Sequence, residues 1–335
     1  CEYRSLDLNQ ARMLTEMKSS YVIRFKTPVG RNISFTDLIR GELTFESDLL
    51  GDFSIAKRID IPLYNLAVIV DDTTMKISHV IRGEDHIANT PRQLLLIEAL
   101  GFLQPIYAHL PLILGPDRSK MSKRHDATSI TEYREIGYLP DALLNFMGLL
   151  GWNPGTDKEI FTHNELISEF SLEKVQKSGA IFDMTKLDWM NGEYIRAKSV
   201  KELTALCLPY LKHAGLIHAH PATFIESVIA LEQPRLKKLS EIGEKVDYFF
   251  KMPEYDKELL RWKSMTDQEL RESLETCITL LEEYAKSDIA HIEKIFLEKG
   301  LAIGDRGKIL WPLRVAITGK KSSPGPFEII NVLEK

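Results

Sequence analysis

Lys120-Met121-Ser122-Lys123-Arg124 is where this chain concentrates its chemistry. From Arg118 to His125, four fixed positive charges and two hydroxyls fall within eight residues. Ammonium and backbone N–H groups can meet the oxygens of a polyphosphate, and a loop can close on them as charge develops. On composition alone such a run would be solvated surface, so its setting decides. Gly115-Pro116 breaks regular structure ahead of it, and Ile106 to Leu114 is an apolar run of strand length. Behind it, Thr128 or Ser129 can cap a helix that runs towards Arg134. The cluster is therefore expected on a mobile loop between a buried strand and a helix.

Other residues could act with it. Gly83-Glu84-Asp85-His86 puts two carboxylates and an imidazole on a glycine turn, suited to ribose hydroxyls, Mg²⁺ or an ammonium, or to nothing beyond an exposed turn. Arg82 ends an apolar strand, so its charge needs an anionic partner. A substrate carboxylate held by a bidentate fork would serve, and so would a protein carboxylate such as Asp71. Tyr64 gives an apolar run a polar handle, with burial as plain core the competing expectation. Arg235, Lys237 and Lys238, with Lys245, form a basic helix face that composition alone would leave to solvent.

These residues need elements to place them. Residues 1–20 read as polar helix. Tyr21–Lys26, Ile33–Asp37 and Glu42–Ser47 alternate with period two, separated by Pro28-Val-Gly30 and Arg40-Gly41, as a small β-rich unit. Leu63–Asp71 is almost wholly apolar and reads as a strand covered on both faces of a parallel sheet. Ile77–Arg82 and Ile106–Leu114 are further strands. Thr90–Leu100 reads as a helix with Pro91 in its first turn and Gly101 closing it. This is the doubly wound α/β layout, in which ligands bind beyond the carboxyl ends of strands. Tyr138–Trp152 reads as a buried helix. From Val200 helical periodicity dominates, through Leu203–Leu211, Phe224–Leu231, Leu236–Phe250, Asp267–Lys286, Ile289–Lys299 and Phe327–Leu333.

A chain of 335 residues leads to two or three domains. A net charge of −5 argues against a generally basic nucleic-acid coat, while leaving room for a local basic face. Three widely spaced cysteines point to a reducing compartment without a disulfide framework, and no Cys/His spacing supports a metal site. The longest apolar stretch falls well short of the ~20 residues that span a bilayer. The chain starts at Cys1 without a methionine or a signal peptide, which reads as a fragment or processed product.

Together with the Lys120–Arg124 loop, which looks like a KMSKS-type signature, several longer stretches carry a resemblance. They are Tyr64-Asn-Leu-Ala-Val-Ile-Val-Asp-Asp72, His79-Val-Ile-Arg-Gly-Glu-Asp-His-Ile-Ala-Asn-Thr-Pro-Arg92, Tyr138–Asn145, Leu149–Trp152, Pro312–Gly319 and Ser323–Gly325. Over nearly its whole length the chain resembles bacterial-type glutamyl-tRNA synthetases, a class I aminoacyl-tRNA synthetase family. The resemblance implies an α/β fold: the C-terminal half of a Rossmann-type catalytic domain with a small β-rich insertion, then an all-α anticodon-binding domain. Its divisions would be residues 1–50 (the rest of an acceptor-binding insertion), 51–125 (catalytic, with the loop), 126–198 (a stem-contact linker) and 199–335 (anticodon-binding).

It implies Lys120 and Lys123 as catalytic residues. Met121, Ser122, Lys123 and Arg124 would meet ATP with Glu84, Asp85 and His86, and Tyr64 and Arg82 would hold glutamate. Arg235, Lys237 and Lys238 would meet tRNA. Arg235 lies in about the stretch where an arginine or a glutamine affects reading of the last anticodon base, which favours discrimination against glutamine tRNA. ATP and Mg²⁺ are the implied cofactors, and L-glutamate and tRNA(Glu) the partners of a cytoplasmic monomer without a membrane or resident metal. The family's HIGH-type motif does not occur, and its Asp-Gly-x-Pro-Thr-Tyr segment reads Ile59-Asp-Ile-Pro-Leu-Tyr64. The expectation is the C-terminal two-thirds of a glutamate–tRNA ligase, inactive alone. The alternative is a non-catalytic tRNA-binding module.

Overall fold

The computed structural model describes residues 2–17, 21–121, 129–217 and 220–333. In chain order its elements begin with α1 (Leu8–Met17), β1 (Ile23–Phe25), β2 (Asn32–Asp37), β3 (Gly41–Glu46), α2 (Ser47–Leu50), β4 (Phe53–Arg58) and β5 (Ile61–Pro62). Next come α3 (Tyr64–Thr74), β6 (His79–Gly83), α4 (Thr90–Leu100), β7 (Ile106–Leu110), β8 (Ile113–Leu114), α5 (Ile130–Ile136), α6 (Pro140–Leu149), α7 (His163–Glu169) and β9 (Ala180–Ile181). The rest is helical: α8 (Met184–Arg196), α9 (Val200–His213), α10 (Ala222–Glu232), α11 (Ile242–Val246), α12 (Asp267–Glu283), α13 (Ile289–Ala302), α14 (Gly307–Thr318) and α15 (Pro326–Leu333). Two compact units result, Cys1–His125 with Met147–Asp183, and Asp126–Phe146 with Met184–Lys335.

In the first unit a four-stranded sheet runs in the order β3-β2-β7-β6, with β6 parallel to β7 and β2 antiparallel to β3. Period-two alternation decides what it buries. Ile33, Phe35 and Asp37 form the buried row of β2, and β7 sends Tyr107 and Ala108 to opposite faces. Tyr107 packs with Phe35 and with Leu94 and Leu95 of α4, whereas Ala108 packs with Trp152, Phe161 and Leu166. Both faces are thus covered, as a parallel pair requires. A separate sheet joins β1, β4 and β5.

Leu63–Asp71, expected as a strand, is instead the helix α3. Its apolar run satisfies period 2 and period 3.6 alike. Packing decides, because Leu66, Val68 and Ile69 close over Leu96 and Ile97 of α4 and Phe53 and Ile55 of β4. The run from Ile106 also divides, into β7 and a short β8 that pairs in parallel with β9. α4 forms as expected, with Pro91 in its first turn and Gly101 left-handed at φ 66°.

In the second unit, α9, α10 and α11 enclose a core that includes Leu203, Leu211, Ile229 and Ile242, and α12–α15 enclose one around Phe296 and Ile309. Leu236–Phe250 is not the continuous helix expected. Lys238 is extended at φ −137°, and only Ile242–Val246 is α-helical between two 3₁₀ turns. Buried Leu236, Leu239, Ile242, Val246 and Phe249 recur at spacings of three and four, which suit 3₁₀ and α turns equally. Among the described residues no helix is long and apolar enough to cross a membrane.

Candidate active site

The end of β6 and the loop after it carry the site. Val80 and Arg82 share a face of β6, and in the parallel register Arg82 lies opposite His109. Arg82 donates Nε–H to His109 Nε2 at 3.2 Å, and Nη2 to Thr90 Oγ1 and Gln93 Oε1, both at 2.8 Å. Its guanidinium also lies 5.5 Å from the Tyr107 ring centre. All three acceptors are neutral. Among the described residues no carboxylate forms an ion pair with Arg82, Asp71 included.

Behind Arg82 the network continues inwards. His109 and Asp37 side chains are both 0% exposed and meet at 2.7 Å from Nδ1 to Oδ2. Asp37 also accepts from the backbone N–H groups of Ile39, Arg40 and His109. Burial alone would push the Asp37 carboxyl up. The N–H of Arg40, the His109 imidazole and the N–H groups of Ile39 and His109 together hold it below its ordinary value. His109 is pushed down by burial, which outweighs the hydrogen bond to Asp37.

Both shifts make stability fall on acidification. The unfolded chain takes up a proton at His109 from about pH 6.5 while the folded imidazole stays neutral to lower pH. Below about pH 4 the unfolded Asp37 likewise binds a proton that the folded carboxylate refuses. Folding stability contributed by this pair is therefore full above about pH 6.5 and is lost stepwise below it. The expected result is a urea midpoint that falls between pH 7.5 and pH 5, with a smaller fall in His109→Gln. Equal falls in both proteins would exclude His109 as the cause.

Towards the surface, Gln93 donates to Asn65 Oδ1 at 3.2 Å, tying Arg82 to the first turn of α3. Tyr64 begins that turn. It is 50% exposed, so it is not plain core, and its hydroxyl lies 3.2 Å from His86 Nδ1. Asn89 Nδ2 is 3.3 Å from the same nitrogen. Glu84 is engaged within the protein: it pairs with Arg40 at 2.6 Å and accepts the Leu112 N–H at 3.0 Å. Asp85 instead meets Lys120 Nζ at 2.7 Å, and this hydrogen bond first, over a small burial effect, holds its carboxyl low.

Lys120 is placed by a tight turn. Gly115 N–H donates to Ser119 O, Met121 N–H to Ile113 O, and Leu114 bridges Lys120 in antiparallel fashion. Asp117 accepts from the Ser119 N–H and hydroxyl. Ser122, Lys123 and Arg124 lie outside the described residues. Beyond them Ser129 caps α5 in a capping box with Glu132.

Tyr64, Arg82 and His86 thus lie on one linked set of contacts in the first unit, and Asp85, next to His86 in the chain, holds Lys120. Arg235, Lys237 and Lys238 belong to the second, and not on one helix face. Arg235 lies 3.6 Å from buried Glu232 and donates to Ser322 Oγ at 2.8 Å. Lys238 meets Asp188 at 3.3 Å over the Tyr138 ring, and Lys237 is exposed. Cys207 and Cys277 are buried thiols pushed by burial to about 12, which leaves them no nucleophilic role. The sequence reading missed Asp37, Thr90, Gln93 and His109. A histidine inside an apolar strand was the available signal.

Residues 2–189 match the family model of the catalytic domain of class I tRNA synthetases (E and Q). The chain belongs to this family. Residues 202–335 match the anticodon binding domain. This synthetase chain is 44% identical to the glutamate–tRNA ligase of Carboxydothermus hydrogenoformans, over 97% of its own length and 70% of that protein's. It is also 44% identical to glutamate–tRNA ligase 1 of Caldicellulosiruptor saccharolyticus, over 99% of its length and 70% of the relative's. The crystal structure of a glutamate tRNA ligase from Elizabethkingia meningosepticum, in complex with its amino acid, superimposes with a TM-score of 0.82 at 31% identity. That match covers 98% of this synthetase chain and 68% of the other.

Proposed function

We propose that the chain is the part of a glutamate–tRNA ligase that holds the amino acid and the loop lysines. The observation that carries this reading is the Arg82 guanidinium, hydrogen-bonded to three neutral acceptors, with Asp72 close enough to feel its charge but no carboxylate in an ion pair with it among the described residues. A half-buried cation in that state favours an anionic ligand, and glutamate supplies a carboxylate. Tyr64, linked to Arg82 through Asn65 and Gln93, borders the same ligand.

The reaction is written in two steps. A carboxylate oxygen of glutamate attacks the α-phosphorus of ATP, forming glutamyl-adenylate as the bond to the pyrophosphate oxygen breaks. A hydroxyl of the terminal tRNA adenosine then attacks the acyl carbon, and AMP leaves. Neither step needs a protein nucleophile, so the protein contributes position and charge. Lys120 and Lys123, with Met121, Ser122 and Arg124, meet the phosphates, and Asp85 and His86 flank the nucleotide. Glu84 is taken up within the protein by Arg40 and the Leu112 N–H. Mg²⁺ enters with ATP as the counter-ion of its phosphates. Among the described residues no three His, Cys, Asp or Glu side chains gather to hold a metal.

Arg235, Lys237 and Lys238 meet tRNA(Glu), with Arg235 favouring it over glutamine tRNA. Equal charging of the two tRNAs would remove that role. The enzyme works as a cytoplasmic monomer.

The test is tRNA-dependent, glutamate-dependent ATP–pyrophosphate exchange, run on the 335-residue chain and on the product of the whole open reading frame. Lys123→Ala is expected to lower kcat about a hundredfold, the scale of losing one charge-stabilising donor. Exchange unaffected by Lys123→Ala would remove the loop from the reaction. No exchange in either protein, with tRNA bound in a steeply salt-dependent way, would leave a tRNA-binding module.

A further inference from the structure

We propose that Asp37 and His109 are positioning residues that fix the plane of the Arg82 guanidinium for the glutamate carboxylate. The inference rests on the reading of Arg82 as a glutamate-binding residue, and it adds how that residue is aimed. An arginine side chain ends in a planar fork whose value for a carboxylate lies in its orientation. Nε–H is the one donor that lies off the fork's end, so its partner sets the rotation of the plane. Here that partner is His109 Nε2, at 3.2 Å. Thr90 and Gln93 both accept from Nη2, which leaves Nη1 as the nitrogen aimed at the ligand carboxylate.

The arrangement works only in one tautomer. To accept from Arg82, Nε2 must carry a lone pair, so Nδ1 must carry the proton. Asp37 enforces this, because its carboxylate can only accept, and it faces Nδ1 at 2.7 Å. The carboxylate is itself fixed by the backbone N–H groups of Ile39, Arg40 and His109. A neutral imidazole thus separates the Asp37 charge from the Arg82 charge. Were Asp37 to touch Arg82 directly, the substrate's carboxylate would compete with it. Through His109 the aspartate orients the guanidinium while leaving its charge to the ligand.

The sheet explains why these residues meet. Asp37 closes the buried row of β2, β2 runs parallel to β7 at Asp37–Tyr107, and His109 lies two residues further on the Tyr107 face. The Tyr107 and His109 rings lie 6.0 Å apart at 10° between planes, which leaves the imidazole little freedom to turn.

The test is steady-state pyrophosphate exchange by the full-length enzyme with tRNA, varying glutamate and ATP separately, for wild type, Arg82→Ala, His109→Leu, His109→Gln and Asp37→Asn. His109→Leu removes the acceptor and is expected to raise the glutamate KM about tenfold, the weight of one hydrogen bond to a charged group. The ATP KM and kcat are expected to stay within about threefold. His109→Gln returns an acceptor near the position of Nε2 and is expected to recover most of the loss. In Asp37→Asn the amide oxygen is claimed by the N–H groups of Ile39 and Arg40, which puts its NH₂ on the imidazole. That would shift the tautomer and face Nε2–H against Arg82 Nε–H, as in aspartate-to-asparagine changes behind a catalytic histidine. Its glutamate KM should rise at least as much.

If Arg82→Ala raises the glutamate KM and His109→Leu does not, the positioning role is refuted while the glutamate reading survives. If both KM values and kcat move together and His109→Gln rescues nothing, the pair is merely structural. If Arg82→Ala leaves the glutamate KM unchanged, the glutamate reading falls and this inference falls with it. Should His109→Leu not fold, Asp37→Asn against His109→Gln decides by the same comparison.

Discussion

Arg82→Ala is expected to lower kcat/KM for glutamate in pyrophosphate exchange by about 10³-fold, mostly through KM. Truncating one partner of a partly buried charge pair costs on the order of 2–5 kcal/mol, and about 1.4 kcal/mol is tenfold in binding. The loss lands on KM because the guanidinium would meet glutamate before and during the reaction alike. Arg82→Lys keeps the charge but loses the planar fork and the Nε–H held by His109. It should therefore recover less than half of the lost binding energy. Thermal unfolding of each variant separates a binding loss from a folding loss. A variant as stable as wild type with an unchanged glutamate KM would take Arg82 out of the site.

Gly137→Ala is expected to destabilise the second unit by about 4 kcal/mol. Gly137 ends α5 at φ 96°, a left-handed conformation, and forcing an L side chain there costs roughly 1–2 kcal/mol. Its surroundings add more. A Cβ at this position would lie 2.6 Å from the Ser240 nitrogen and 2.7 Å from that of Leu239. Neither can retreat freely, because the Leu239 N–H donates to the Gly137 carbonyl at 3.0 Å. Overpacking of this kind adds about 1–3 kcal/mol. Gly215→Ala supplies the control, since it also has a positive φ, 68°, but nothing within 4 Å of an added Cβ. It should lose only the conformational part. Urea unfolding monitored by circular dichroism measures both, and equal losses would show that the contact with Leu239 and Ser240 is soft.

What could be read from the sequence depended on whether the signal was local. α4 announced itself because Pro91 and Gly101 act within one turn of its ends. Thr128 and Ser129 announced a helix start, and Ser129 is the residue that caps α5. α3 did not, because Tyr64–Asp71 is apolar at nearly every position and the choice between strand and helix falls to Leu96, Ile97 and Phe53. The same holds for Leu236–Phe250, whose buried leucines and isoleucines suit several kinds of turn.

The site divides along the same line. Arg82 stood out as a charge closing an apolar strand, and Lys120 as part of a dense basic motif. Asp37 and His109 each looked unremarkable alone, one in a short alternating strand and one inside an apolar run. Only the parallel register of β2, β7 and β6 makes them neighbours of Arg82.

That register also sets a clock. Asp37 and His109 are 72 residues apart in the chain, so no nascent polypeptide can complete the network behind Arg82 until the second of them has emerged. At ~5–20 residues per second of synthesis, the aspartate waits roughly 4–14 s for its histidine. Throughout that wait its carboxylate lacks both the imidazole and the backbone N–H of His109, and the row it shares with Ile33 and Phe35 lacks Tyr107 for most of the time. Ribosome-bound intermediates ending before residue 109 should be the stage at which this protein leans hardest on chaperones.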